Sequence, residues 1–467
     1  MSRAFGDELL EVRLRAVMEE RAEEVASRAW TSQEMTAELV ARLGGADRAA
    51  LRRRQLLRVG LLAGVLVLLF LAIALLAGGP TRAPLALRLA VDLPLGGAEP
   101  GTDTVLNAIQ LAVRTPAGGG PLFSIEIPPD GVFNDAVAGS PDGARGADNM
   151  RVVAGDARNV AVIGPYNSPV AAAEIPVTNA AGVLECSPSN TAPGLTIGQA
   201  AAALRSRPDR PNYVRVATTD DMLAEGAARF VLGSLGKRTA YVIYAGGAGP
   251  EDPGTLFIQH FEGLGGTVLG DARLSTADDV ARIAAEIEAL RPEAIFDGGK
   301  GDGAGRLLDL LSPPALTLPF VGLDSLLDGP RSEPGSFLNL AGERAAHAFA
   351  VFPANLASDG WPAFVAHYRT AFQAPPAPYA VAGYACAEVI LAALQQLTLP
   401  PSAGPADWRE ALRAAVTTPG TVYTTALGRL SFDANGDVRP ASISVYEYDG
   451  SSEDWTFREA SQLTAGP

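Results

Sequence analysis

From residue 87 onward, short apolar runs alternate with longer stretches whose apolar positions recur at three- and four-residue spacing. The runs at 87–93, 123–127, 160–164, 182–186, 239–245, 293–298 and 319–323 have the length and Val/Ile/Leu content of buried strands. Between them, 104–114, 169–181, 221–235, 278–290 and 305–311 read as helices. Such alternation predicts βαβ units, and therefore parallel sheets flanked by helices. The pattern breaks near Pro211, which predicts two α/β lobes.

A different pattern precedes this part. Val59–Ala77 is a run of nineteen residues without a charge. At about 1.5 Å per residue it reaches close to the ~30 Å of a bilayer core. Arg48, Arg52, Arg53, Arg54 and Arg58 precede it, while only Arg82 and Arg88 follow closely. The asymmetry predicts a single-pass membrane helix over 56–78, with the N-terminus cytoplasmic and the rest exported. A cleaved signal peptide is the competing reading. The long polar stretch before the run and the length of the run argue against it. Gly79 also stands where a lipoprotein signal would need cysteine. Residues 1–55 read as a cytoplasmic helical segment. Leu10, Leu14, Val17 and Val25 fall near helical spacing, Thr31–Glu34 forms a capping box, and Gly44-Gly45 is a stop. This segment is either a solvated, charge-laced tail or a docking site for a cytoplasmic partner. Residues 79–86 read as a linker.

Composition narrows the function classes. The 467 residues carry a net charge of −15; residues 1–58 are near +1, so the exported part carries about −16. An acidic surface argues against nucleic acid as a partner. The three histidines, His260, His347 and His367, are far apart in the chain and in no ligand spacing, so neither a zinc site nor any other cofactor is expected. Cys186 and Cys386 read as small core residues, with a bridge open to an exported domain. No nucleophile elbow or phosphate loop is present, so an enzyme is not expected.

In an open parallel sheet, ligands bind beyond the carboxyl ends of the strands. Those ends carry Pro165–Ser168, Ser187–Thr191, Gly299-Lys300 and Asp324-Ser325. Small hydroxyls from the first lobe suit a carboxylate, and an Asp from the second suits an ammonium; an α-amino acid has both. Each residue also has an ordinary role to weigh. Ser168 before Pro169 reads equally as a helix N-cap, Ser189 and Thr191 as turn residues beside prolines, and Asp324 as a strand-end turn residue. Asp220 and Asp221 read as helix caps, and Lys300 as a solvated loop charge.

The stretches VAVIGPYNSPVAAAEIPVTNAAGVLECSPSNTAPGLT (160–196), YVRVATTDD (213–221), PYAVAGYACAEVILAAL (378–394) and GRLSFDANGDV (428–438) carry a family pattern. Over most of 87–448 the chain resembles the type I periplasmic binding proteins, specifically the Leu/Ile/Val-type substrate-binding proteins of ABC importers. The resemblance implies a two-lobed type I periplasmic-binding-protein fold, here preceded by the helical tail and one transmembrane helix. It implies crossovers near 211–216, 343–352 and 421–431, with lobe 1 over 87–212 and 346–420 and lobe 2 over 213–345 and 421–467. It also implies roles. Ser168 would hold the ligand carboxylate, Ser189 would offer its carbonyl to the ammonium, Thr191 would bind both ends, and Asp324 would pair with the ammonium.

Departures from the pattern change the expected walls of the site. Pro100 and Lys300 stand where many members have aromatic residues, and AGGAGPEDPG (245–254) replaces a Tyr-Gly loop. The aromatic walls are therefore expected to be largely lost, selectivity modest, and Lys300 placed to favour an acidic ligand. The chain is expected to be a membrane-anchored solute-binding protein for an amino acid or similar small carboxylate, with an ABC permease as partner. The alternative is the sensing ectodomain of a membrane signalling protein, with a cytoplasmic signalling partner.

Overall fold

Two sheets organise the computed structural model, which describes residues 84–97, 99–114, 123–246, 249–329, 331–451 and 454–463. The helical tail, the apolar run at 59–77 and most of the linker lie outside the described residues. Among the described residues, no helix is long and apolar enough to cross a membrane. The first strand begins at Leu85, so the end of the expected linker is already sheet.

The first sheet runs Phe123–Glu126, Leu85–Leu93, Asn159–Ile163, Leu184–Ser187, Tyr213–Arg215, every pair parallel. Its central strands are buried on both faces, which is why they read as continuous apolar runs. Helix Ala380–Gln396 packs on it against Thr102–Arg114, at a spacing so close that a Cβ on Gly383 would meet Val105 Cγ1 at 2.7 Å. The helix is apolar almost all round, the signature of a helix enclosed by its own lobe. The second sheet runs Thr267–Arg273, Thr239–Tyr244, Ala294–Asp297, Phe320–Leu323, Ala348–Phe352, Ala441–Asp449, Asp454–Leu463. The first five strands are parallel. The last two join antiparallel, so this sheet is mixed rather than purely parallel.

Each passage between lobes falls later than the sequence places it. Tyr213–Arg215 still pairs in the first sheet, Ala348–Phe352 belongs to the second, and Tyr423, Leu430, Phe432 and Val438 pack into the core of the first lobe. The cause is local. Tyr-Val-Arg is only three residues long and carries an arginine, and Ala-Phe-Ala-Val-Phe has little of the Val/Ile/Leu content that marks the other strands, so neither stands out as an apolar run.

Cys186 and Cys386 form a disulfide with Cα atoms 5.9 Å apart, correcting their reading as separate core residues. It ties a central strand to the enclosed helix across 200 residues of sequence.

Arg215 has no exposed surface. Its Nε donates to Asp437 Oδ1 at 2.7 Å, Nη1 to the Ala192 carbonyl at 2.7 Å, and Nη2 to Thr196 Oγ1 at 2.5 Å. Thr196 in turn donates to Asp437 Oδ2 at 3.1 Å. Next to Asp437, Gly436 has φ +94°, and a Cβ there would come within 2.2 Å of the Tyr213 carbonyl. Only glycine allows the 433–437 turn to approach the strand closely enough for this pair to form.

Two stability tests follow from these ties. The double variant Cys186→Ser/Cys386→Ser is expected to lose about 2–5 kcal/mol, since the bridge closes a very long loop; urea titration with and without reductant measures it. Asp437→Ala leaves a buried guanidinium without its counter-charge and should lose about 3–5 kcal/mol in the same assay. A loss under about 1 kcal/mol would show that water reaches Arg215.

Candidate functional site

The carboxyl ends of the parallel strands of both lobes open on one cleft of about 790 Å³. All five residues expected from the sequence line it: Ser168, Ser189 and Thr191 from the first lobe, Lys300 and Asp324 from the second. The strand-end rule brings them together because both sheets point their carboxyl ends at the same gap.

Ser168 is the first residue of helix Ser168–Ala181, not its cap. Asn167 holds the cap position, makes no cap bond, and instead donates to Glu99 Oε1 at 3.3 Å. Ser168 Oγ accepts from the Ala192 amide at 3.4 Å, joining the two strand-end loops. Ser189 Oγ donates to the Tyr166 carbonyl at 2.8 Å, and Asn190 Nδ2 donates to the same oxygen at 2.8 Å. The Ser189 hydroxyl thus shapes the loop, and its amide donates to Ser187 Oγ at 3.3 Å. Arg215 holds this loop from behind through the Ala192 carbonyl.

Asp220 and Asp221 are not caps. The cap position of helix Asp220–Arg229 is Thr219. Asp220 accepts a hydrogen bond from the Thr191 hydroxyl, and its amide donates to the Thr191 carbonyl at 2.9 Å. Burial pushes the Asp220 carboxyl up to about 7, opposed by the Thr191 bond.

Asp324 begins a short turn after strand Phe320–Leu323. Its Oδ2 accepts from the Tyr379 hydroxyl at 2.6 Å, a bond that crosses from the first lobe to the second. Burial raises the Asp324 carboxyl above the usual range, and the Tyr379 bond opposes the shift. Tyr166 meets Tyr379 edge-on at 5.3 Å. Burial raises both phenols well above the ordinary value, with Asp328 and Asp324 adding to Tyr166 and Asp324 to Tyr379. Asp328 is itself raised by burial and by Asp324, Glu99 and Glu333, with Lys300 opposing. Lys300 sits exposed on the rim, at the cap position of helix Gly301–Leu310.

The expected loss of aromatic walls is therefore corrected. Tyr166 and Tyr379 supply a wall from within the first lobe, although Pro100 and Lys300 line the cleft as non-aromatic residues. Tyr166 lies in the strongest family motif, two residues before Ser168, so its place was open to sequence reasoning. Tyr379 precedes a helix rather than following a strand, and the strand-end rule misses it. Asp328 and Glu99 were missed because each lies several residues past its strand end, Leu323 and Leu93, beyond the residues that immediately follow the strand.

The model of the periplasmic binding protein family matches residues 139–452. The Leu/Ile/Val-binding protein BraC3 of Rhizobium johnstonii is 26% identical over 313 residues, covering 67% of this chain and 78% of that protein. The leucine-binding protein LivK of Thermotoga maritima superposes with a TM-score of 0.63 at 20% identity, over 80% of this chain and 98% of its own. A solute-binding protein of Rhodopseudomonas palustris, solved with 3,4-dihydroxybenzoic acid, gives 0.63 at 18% identity over 82% and 99%. At such identities the two structures establish the fold. The family model and the two facing lobes agree: the chain belongs to the periplasmic binding protein family.

Proposed function

We propose that the chain is a membrane-anchored, extracytoplasmic solute-binding protein that captures an amino acid by cleft closure and presents it to an ABC permease, without performing chemistry. One observation carries the reading. Ser168, Ser189 and Thr191 of the first lobe and Asp324 of the second line one cleft, whose first-lobe wall also holds two aromatic rings. That is a polar clamp for a carboxylate and an ammonium beside a surface for a side chain. A buried zwitterion needs both ends satisfied, or desolvation outweighs its contacts.

The charge of the cleft refines the ligand. Glu99, Asp302, Asp324, Asp328 and Glu333 line it against Lys300 and Arg306 only. This balance runs against an acidic side chain, the preference expected from Lys300, and favours neutral or basic amino acids. It also disfavours an aromatic carboxylate such as the relative from Rhodopseudomonas carries, since that ligand brings no cation. The disulfide fits export from the cytoplasm, and the apolar run at 59–77 with five arginines before it fits a retained anchor.

Calorimetry on the full-length chain against a panel of amino acids tests the clamp. Asp324→Ala should weaken the best amino acid by about thirty-fold or more, the effect of removing one partner of a charged pair. Equal affinity in the variant, or binding of hydroxybenzoates alone, would overturn the assignment. The pH dependence has a definite sign. Ammonium binding needs Asp324 ionised, and burial raises its carboxyl, so affinity should rise with pH through the acidic range. Tyr379→Phe removes the bond that favours the ionised form and should move that rise to higher pH. Carbonate extraction of membranes tests the anchor: the chain should stay in the pellet, and a soluble product starting near residue 80 would end the claim.

A further inference from the structure

Behind the cleft wall, the first lobe encloses three carboxylates that the ligand site does not use. Asp92 near the end of strand Leu85–Leu93, Asp135 between the short strands Val132–Asn134 and Ala136–Val137, and Glu174 in the middle of helix Ser168–Ala181 have no exposed surface. One oxygen from each lies within 4.8 Å of the others. Asn149 Nδ2 donates to both oxygens of Asp92, at 3.0 and 3.1 Å. Neither oxygen of Asp135 and neither oxygen of Glu174 has a hydrogen-bond donor. Gly146 makes the room: a Cβ there would come within 2.5 Å of Glu174 Oε1.

Three buried charges of one sign cost far more than a fold retains unless something neutralises them. The neighbours do not. Arg145 attracts Asp92 weakly, while Glu99 and Asp142 repel Asp135 and Glu185 repels Glu174. Shared protons answer only in part. Burial raises all three carboxyls, and a proton on Glu174 would bond to Asp92. A protonated Asp135 would still keep a buried carbonyl oxygen with no donor. A single divalent cation would take one oxygen from each carboxylate at once and offset two of the three charges.

We propose that Asp92, Asp135 and Glu174 bind one divalent cation of the calcium class, which pins the first-lobe helices that form the cleft wall. All-oxygen, all-carboxylate donors select a hard cation over zinc or copper. Ligands at about 2.3–2.6 Å from a centre can stand up to about 5 Å apart, which the observed span allows; the shorter bonds of magnesium demand a tighter set. The cation would join strand Leu85–Leu93 to helix Ser168–Ala181, whose first turn carries Ser168. It would also brace helix Gly143–Gly155, whose first residue lines the cleft. This inference is independent of the identity of the ligand in the cleft.

The test is to unfold the full-length chain in EDTA, remove the chelator, and refold with Ca²⁺, Mn²⁺, Mg²⁺ or EDTA. Ca²⁺ is expected to raise the melting temperature by on the order of 5 °C over EDTA, with one equivalent retained per chain. Mg²⁺ should do less. Asp135→Asn and Glu174→Gln should each abolish the Ca²⁺ response. An identical melting temperature in all four refolded samples would overturn the proposal and assign the cluster to shared protons, whether or not the variants fold. A Ca²⁺ response that survives in Glu174→Gln would overturn it too, because the ion would then sit elsewhere.

Discussion

A single guanidinium, that of Arg215, stands where the chain leaves the first lobe, and much of the site depends on it. It is buried completely, so every donor must be matched. The matches are Asp437 on the returning segment, Thr196, and the backbone of the loop that carries Ser189 and Thr191. One residue therefore joins a passage between lobes to the shape of the ligand loop. The constraint extends to its neighbours: Gly436 must be glycine for Asp437 to reach it, and Tyr213, beside it in the strand, donates from its hydroxyl to Asn190 Oδ1 at 2.9 Å. Loop precision comes from a buried ion pair, with its geometry set by backbone contacts on all sides.

Much of the architecture is legible in the pattern of apolar positions. Strands such as Asn159–Ile163 and Thr239–Tyr244 are buried on both faces, so they stand out as unbroken runs. Helix Ala277–Leu290 announces itself by a capping box at Thr276 and Asp279 and by a clean apolar face. The legibility fails where a helix lacks a solvent side or a strand is too short to show a run. Helix Ala380–Gln396 has little polar face to reveal its period, and the strand Tyr213–Arg215 is only three residues long. The closing hairpin Ala441–Leu463 pairs antiparallel, which the run of parallel units before it does not foretell.

The site divides in the same way. Residues that follow strands, Ser168, Thr191 and Asp324 among them, are found by topology alone, because the sheet fixes where its own ends point. Tyr379 reaches the cleft from the start of a helix, and only the fold shows that its hydroxyl meets Asp324 across the gap. The disulfide and the carboxylate cluster are further still from sequence reasoning. Cys186 finds its partner 200 residues away, and Asp92, Asp135 and Glu174 come from three separate segments with no shared spacing.

The bridge between Cys186 and Cys386 also changes what the chain is mechanically. All the parallel strands of the second lobe, from Thr239 to Phe352, lie inside the covalent ring that it closes. A force applied at the two chain ends passes through the bridge and bypasses the 200 residues of the ring, about 700 Å of contour that cannot be drawn out while the bond holds. Only the closing hairpin of that lobe lies outside the ring, so traction can peel the lobe's edge but cannot unravel its centre. The strands at the heart of the second lobe are thereby held on a closed loop of the chain itself.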